Sequence, residues 1–216
     1  MFADRCAAVL QELSGSDELL VEIGPADAGV KFPDAREVLA KHFSAAVLGE
    51  LLPYDLGVER VHAAWQTPGG GEAAGEICLK NLALVLSRFR PPLWDQTLTP
   101  SERRVLASLV IIDEQPYAGM GTATGLRITS PGSAPELWFY DNSRSFLGRL
   151  DLEYGEYLEA ALATKGAFGW QYLFTGVNLR AARFGWHVDN LTAAFERLST
   201  LFPSYSYPDL HARLSS

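Results

Sequence analysis

TGLRITSPGSAPELWFYDNSRSFLGRLDL, residues 124–152, contains the clearest structural pattern in this chain of 216 residues. Three short apolar runs occur in it, at 124–130, 136–141 and 145–152. Their length and their aromatic and β-branched content are typical of β-strands. Pro131-Gly132 and Asp141-Asn142-Ser143 supply turn residues between the runs. Because connections this short join antiparallel neighbours, the stretch predicts a meander.

Helical periodicity lies on both sides of this predicted meander. Apolar residues recur every three or four positions over 2–13, 34–47, 153–163 and 188–202. Thr99-Pro100-Ser101-Glu102 has the form of a capping box and predicts a further helix start. Additional strands are expected at 18–24 and 58–65. The whole chain, 1–216, is therefore predicted to be a single α+β domain, with an antiparallel sheet flanked by helices.

Four segments have less decisive patterns. The leucines of 77–87 fit either a strand or one side of a helix, and we favour a strand. A helical stripe over 105–110 runs into the β-branched residues 110–112, so the type of that element stays open. The glycine-rich stretch 67–76 is expected to be a flexible tip. The polar tail after Pro203 is expected to pack loosely.

Composition and charge exclude several classes of protein. Hydrophobic residues make up 48% of the chain and charged residues 20%, which argues against intrinsic disorder. A formal charge of -8 argues against nucleic-acid binding, because phosphate contact requires a basic surface. The sequence has neither an apolar run of about 20 residues nor a basic, apolar leader. We therefore expect a cytoplasmic protein without a membrane span.

The acidic excess is concentrated near the start of the chain. Residues 1–50 contain nine acidic and four basic side chains. One interpretation is a solvated surface that keeps the protein in solution. The alternative is a negative patch that steers a basic partner.

Motifs for known catalytic chemistry are absent or incomplete. There is no Gly-x-Ser-x-Gly elbow, and the glycines of 68–72 and 119–125 lack the spacing of phosphate-binding loops. Cys6 and Cys78 match no metal motif, and the four histidines are far apart in the sequence. We therefore predict no metal and no cofactor. A small cytosolic enzyme remains an alternative, with Asp113 or Glu114 acting together with Asp141.

Aromatic residues become dense after residue 137. Trp170 and Tyr172 follow a glycine-rich bend, where they would belong either to the core or to an exposed recognition platform. As candidate partner-facing groups we take Asp113, Glu114, Trp170 and Tyr172.

The segment 136–174 resembles the SUKH superfamily, the bacterial immunity proteins and their relatives of the yeast cell-wall-synthesis regulator branch. The residues that carry the resemblance are Tyr140-Asp141, Leu150-Asp151-Leu152, Tyr157-Leu158, Lys165-Gly166 and Gly169-Trp170-Gln171-Tyr172-Leu173-Phe174. The resemblance implies an antiparallel sheet wrapped by helices and no enzymatic activity. It also implies a protein partner, either a toxin that the chain neutralises or, for a regulatory scaffold, another protein. Toxins that act on nucleic acid tend to be basic, which would suit an acidic binder.

Overall fold

The computed structural model describes residues 1–24, 32–69, 72–89 and 97–215, and a seven-stranded antiparallel sheet runs through them. The strands are β1 (Leu20–Ile23), β2 (Arg60–Gln66), β3 (Ala74–Lys80), β4 (Val110–Glu114), β5 (Thr122–Arg127), β6 (Glu136–Asp141) and β7 (Phe146–Arg149). Their spatial order follows the sequence from β1 to β7. The predicted α+β class and the predicted meander are both confirmed.

Eight α-helices accompany this sheet in the described ranges. They are α1 (Phe2–Ser14), α2 (Ala35–Leu39), α3 (Ala45–Leu51), α4 (Leu82–Ser87), α5 (Pro100–Ala107), α6 (Tyr154–Ala163), α7 (Gly185–Leu201) and α8 (Pro208–Ser215). None of these helices has both the length and the apolar character that crossing a membrane requires.

Each face of the sheet has its own hydrophobic cluster. Phe139 and Tyr140 are consecutive residues of β6, so their side chains point to opposite faces. Phe139 belongs to the larger cluster, together with buried residues of α1, α6 and α7. Tyr140 belongs to a smaller cluster with Leu106 of α5 and Leu109. The capping box of Thr99 and Glu102 starts α5 as predicted and so positions this second layer.

Three sequence predictions are corrected by side chains that cap helices or are buried. The strand predicted over 77–87 ends at Lys80, because the Asn81 side chain accepts the Leu84 N–H and begins α4. The helix predicted over 34–47 is divided into α2 and α3, because Ser44 caps a second helix start. The tail forms α8, which buries Leu210. Gly70 and Gly71, in the predicted flexible tip, lie outside the described residues.

The segment 165–169 fills a gap between β3 and β4. These two strands are paired only at Leu79 and Asp113. Beyond that pair, the Glu76 N–H donates to the Gly166 carbonyl at 2.9 Å, and the Phe168 N–H donates to the Ala74 carbonyl at 3.0 Å. The segment therefore satisfies β3 backbone groups that β4 does not reach.

Gly166 is required by this arrangement for two independent reasons. Its φ is +67°, in the left-handed region that disfavours side chains. A Cβ at this position would also lie 2.3 Å from the Glu76 carbonyl oxygen. The glycine of the Lys165-Gly166 pair in residues 136–174 is thus explained by backbone packing.

Replacing Gly166 with alanine should destabilise the fold by about 3 kcal/mol, through backbone strain and the clash with β3. Gly49→Ala is the matched control, because Gly49 lies in α3 with no atom within 4 Å of an added Cβ. Alanine there should stabilise the chain by about 0.5–1 kcal/mol. Urea unfolding of both variants tests this pair, and similar changes of the same sign would contradict it.

Candidate functional site

A surface groove with a volume of about 280 Å³ lies over the β1 end of the sheet. It is lined by residues 20–22 of β1, 64–66 of β2, 74 and 75 of β3, and by Tyr117, Ala118 and Phe168. We call this feature the aromatic groove. One wall is the connection between β4 and β5, and Phe168 brings in the segment that fills the gap beside β3.

Exposed apolar side chains surround this groove. Tyr117 is 60% exposed and Leu20 is 53% exposed. Phe168 is buried and stacks on Trp186, with ring centroids 6.3 Å apart and an interplanar angle of 23°. Trp186 is itself 49% exposed. Large side chains left exposed side by side are a common mark of an interaction surface.

Glu22 provides the negative charge at the aromatic groove. Its carboxylate lines the groove together with Tyr117, and its interaction with the hydroxyl raises the pKa of the phenol. No ion pair joins Glu22 to any residue in the described ranges. The groove therefore combines an aromatic ring with a carboxylate that still has capacity for a cationic group.

Glu76 holds the Tyr117 wall in place. This residue is 1% exposed, and its carboxylate accepts the backbone N–H groups of Tyr117 and Ala118, each at 2.9 Å. His62 Nε2 lies 2.8 Å from the same carboxylate. A buried carboxylate with several donors is strongly fixed, because leaving any of its partners unpaired would be costly. Glu76, Glu22 and Tyr117 belong to no motif of the sequence that predicts a site.

Trp170 and Tyr172 do not face a partner, so their assignment as partner-facing groups is wrong. They are 0% and 1% exposed, which bears out the core alternative. Trp170 packs against Tyr157 of α6, with ring centroids 4.9 Å apart. The Tyr172 hydroxyl donates to Asp141 at 2.6 Å.

Asp113 and Glu114 are consecutive in β4 but lie in different environments. Asp113 is buried and accepts the Tyr157 hydroxyl at 2.6 Å and the Cys78 N–H at 3.2 Å, so it too cannot face a partner. Burial raises its pKa to about 6. Glu114 is partly exposed and pairs with Lys80 at 2.7 Å. Of the two, only Glu114 has a surface that a partner could reach, and its role stays a prediction.

The carboxylates of the enzyme alternative do not meet at the aromatic groove. Asp141 is fully buried and accepts the hydroxyls of Ser143 and Tyr172, both at 2.6 Å. It also accepts from the Arg144 side chain at 3.2 Å. Neither Asp141 nor Asp113 lines the groove, and both are engaged by groups of the fold itself.

His187 is the buried histidine of the described core. It lies 4.0 Å from Asp141 and packs against Tyr172. Burial lowers the pKa of His187 to about 4, and the Arg144 guanidinium acts in the same direction. In the described part of the chain, no three His, Cys, Asp or Glu side chains are placed to hold a metal ion.

No protein-family model matches this chain, and neither a curated protein nor a solved structure does. The resemblance to the SUKH superfamily therefore remains an expectation from the motifs of residues 136–174.

Asp113 and His187 should give opposing pH dependences of stability. Asp113 has a raised pKa in the folded state, so its contribution is present below about pH 4 and is lost as the pH rises to about 6. His187 has a lowered pKa, so its contribution grows from about pH 4 to 6.5. Each change is of order 3 kcal/mol and they oppose each other.

Asp113→Asn should therefore make stability rise with pH across this range, relative to the unmodified chain. His187→Gln should make it fall between about pH 4 and 6. Urea unfolding at intervals of half a pH unit from pH 4 to 6.5 measures both slopes. If stability changed with pH in the same way in both variants, the pKa values of Asp113 and His187 would not be shifted in opposite directions.

Proposed function

We propose that this chain is a non-enzymatic protein-binding module of the immunity type, which neutralises a bacterial toxin in the cytoplasm. The observation that carries the proposal is the aromatic groove, in which Tyr117 stands exposed beside the carboxylate of Glu22. The resemblance of residues 136–174 supplies the expectation of a toxin as the partner.

The open form of the groove favours a protein partner over a small substrate. Pockets for small molecules usually enclose about 300–1,000 Å³ and bury most of their ligand. The groove has about 280 Å³ and is open to solvent, which suits one or two anchoring side chains of a larger partner. Tyrosine and tryptophan are enriched among the residues that dominate binding energy at such interfaces.

Ion pairs within the chain already engage several of the acidic side chains that produce the net negative charge. Several N-terminal acidic residues are already paired, including Glu12 with Lys165, Glu18 with Arg197 and Glu37 with Lys41. The overall charge of -8 would still accelerate the approach of a basic partner. Local recognition would then fall to acids that form no ion pair within the described ranges, such as Glu22.

Co-expression with a toxin domain encoded beside the gene for this chain tests the proposal. We expect rescue of growth and a nanomolar complex. Raising NaCl from 50 to 300 mM should weaken the complex at least tenfold, because association is driven by opposite charges. Calorimetry at the two salt concentrations measures the affinity of the complex and its dependence on salt. A toxin that is neither bound nor neutralised would contradict the proposal.

Tyr117→Ala should weaken this complex by tenfold or more, because it removes the exposed ring of the groove. Phe89→Ala is the matched control, since Phe89 is also an exposed aromatic residue but does not line the groove. Equal affinities for the two variants would remove the groove from the binding surface. A neighbouring gene that encodes no toxin would favour the regulatory scaffold instead.

A further inference from the structure

Strand β1 is the first edge of the sheet, and half of its backbone groups point away from its neighbour. The Gly24 N–H donates to the His62 carbonyl at 3.1 Å, and the register continues as Glu22 with Ala64 and Leu20 with Gln66. In an antiparallel pair, hydrogen-bonded positions alternate with positions that face outward. The N–H and C=O groups of Val21 and Ile23 are therefore directed away from β2.

These outward groups have no backbone partner in the described part of the chain. Only part of the usual protection of a sheet edge is present in this strand, which is short and carries the charged Glu22. Natural proteins place lysine, proline or a bulge at such edges to prevent pairing with other chains. The β1 sequence, LVEI, has none of these residues, and Leu20 and Ile23 are 53% and 41% exposed. At the other edge, the exposed Arg149 of β7 provides such a charge.

We propose that the partner adds an extended segment to the outer edge of β1 and places an arginine or lysine opposite Glu22. This inference rests on the proposed function and specifies how the same site recognises its partner. Side chains directly opposite each other in a sheet point to the same face. A residue paired with Glu22 would thus project to the face that carries the aromatic groove.

The chemistry of that position selects a cation. The residue would lie beside the Glu22 carboxylate, and opposite charges in directly paired positions stabilise a sheet. Tyr117 and Glu22 line the same groove, so the ring can also contact the cation. The backbone of the added segment would hydrogen-bond to the outward N–H and C=O groups of Val21 and Ile23. In strand addition, such main-chain hydrogen bonds provide the affinity.

The probe for this inference is the peptide acetyl-Thr-Val-Arg-Val-Thr-amide, titrated into the ¹⁵N-labelled chain. Amide shifts should change at Val21, Ile23 and Tyr117. A peptide with citrulline in place of arginine keeps the shape but not the charge, and should bind at least fivefold more weakly. N-methylation of both valines removes N–H donors of the added strand and places methyl groups against β1, and it should abolish binding. Equal binding by all three peptides, no binding by any, or shifts elsewhere in the chain would overturn the inference.

Glu22→Gln should weaken binding of the arginine peptide at least fivefold. Glu50→Gln is the matched control, because it makes the same charge change at an exposed acidic residue outside the groove. The toxin complex separates the two proposals. A toxin bound equally well by both variants would refute only the strand-addition inference. A toxin that does not bind, with the peptide result intact, would refute only the immunity function.

Discussion

The buried carboxylate of Glu76 is the interaction on which the candidate site depends. Its oxygens accept the N–H groups of Tyr117 and Ala118 and lie within hydrogen-bonding distance of His62. Its own backbone N–H donates to Gly166. One residue of β3 therefore joins β2, the β4–β5 connection and the segment beside β3. Because the carboxylate is removed from water, each of these donors is needed to offset its burial.

The same arrangement accounts for several residues of the segment 136–174. Lys165 and Gly166 end α6 and lead the chain along the edge of β3 that β4 leaves free. Trp170 and Tyr172 then enter the core. The motif is accounted for by folding requirements, whereas the exposed groups that could meet a partner come from β1 and from the β4–β5 connection. Phe168 connects the segment 165–169 with the aromatic groove, because it belongs to that segment and also lines the groove.

Sequence patterns predicted the parts of the fold that depend on local periodicity and capping. Strand β6 was predicted with the bounds it has, and the capping box at Thr99 starts α5. The spacing of the leucines in 77–87 fits both a strand and a helix, so the predicted strand is too long. The Asn81 cap, which starts α4, decides between the two structures. The site was less predictable, since the burial of Trp170 depends on contacts with distant elements. The sequence feature that points to the groove is Tyr117, an aromatic residue in the loop that contains Gly119 and Gly121.

Amide hydrogen exchange of the free chain tests most directly whether Glu76 holds the wall of the aromatic groove. Glu76→Gln replaces one accepting oxygen with an NH₂ group, which would face a backbone donor. Exchange at Tyr117 and Ala118 should then become at least tenfold faster, while Glu114→Gln, at a partly exposed ion pair, leaves it unchanged. Equal exchange at these two amides in both variants would contradict the account.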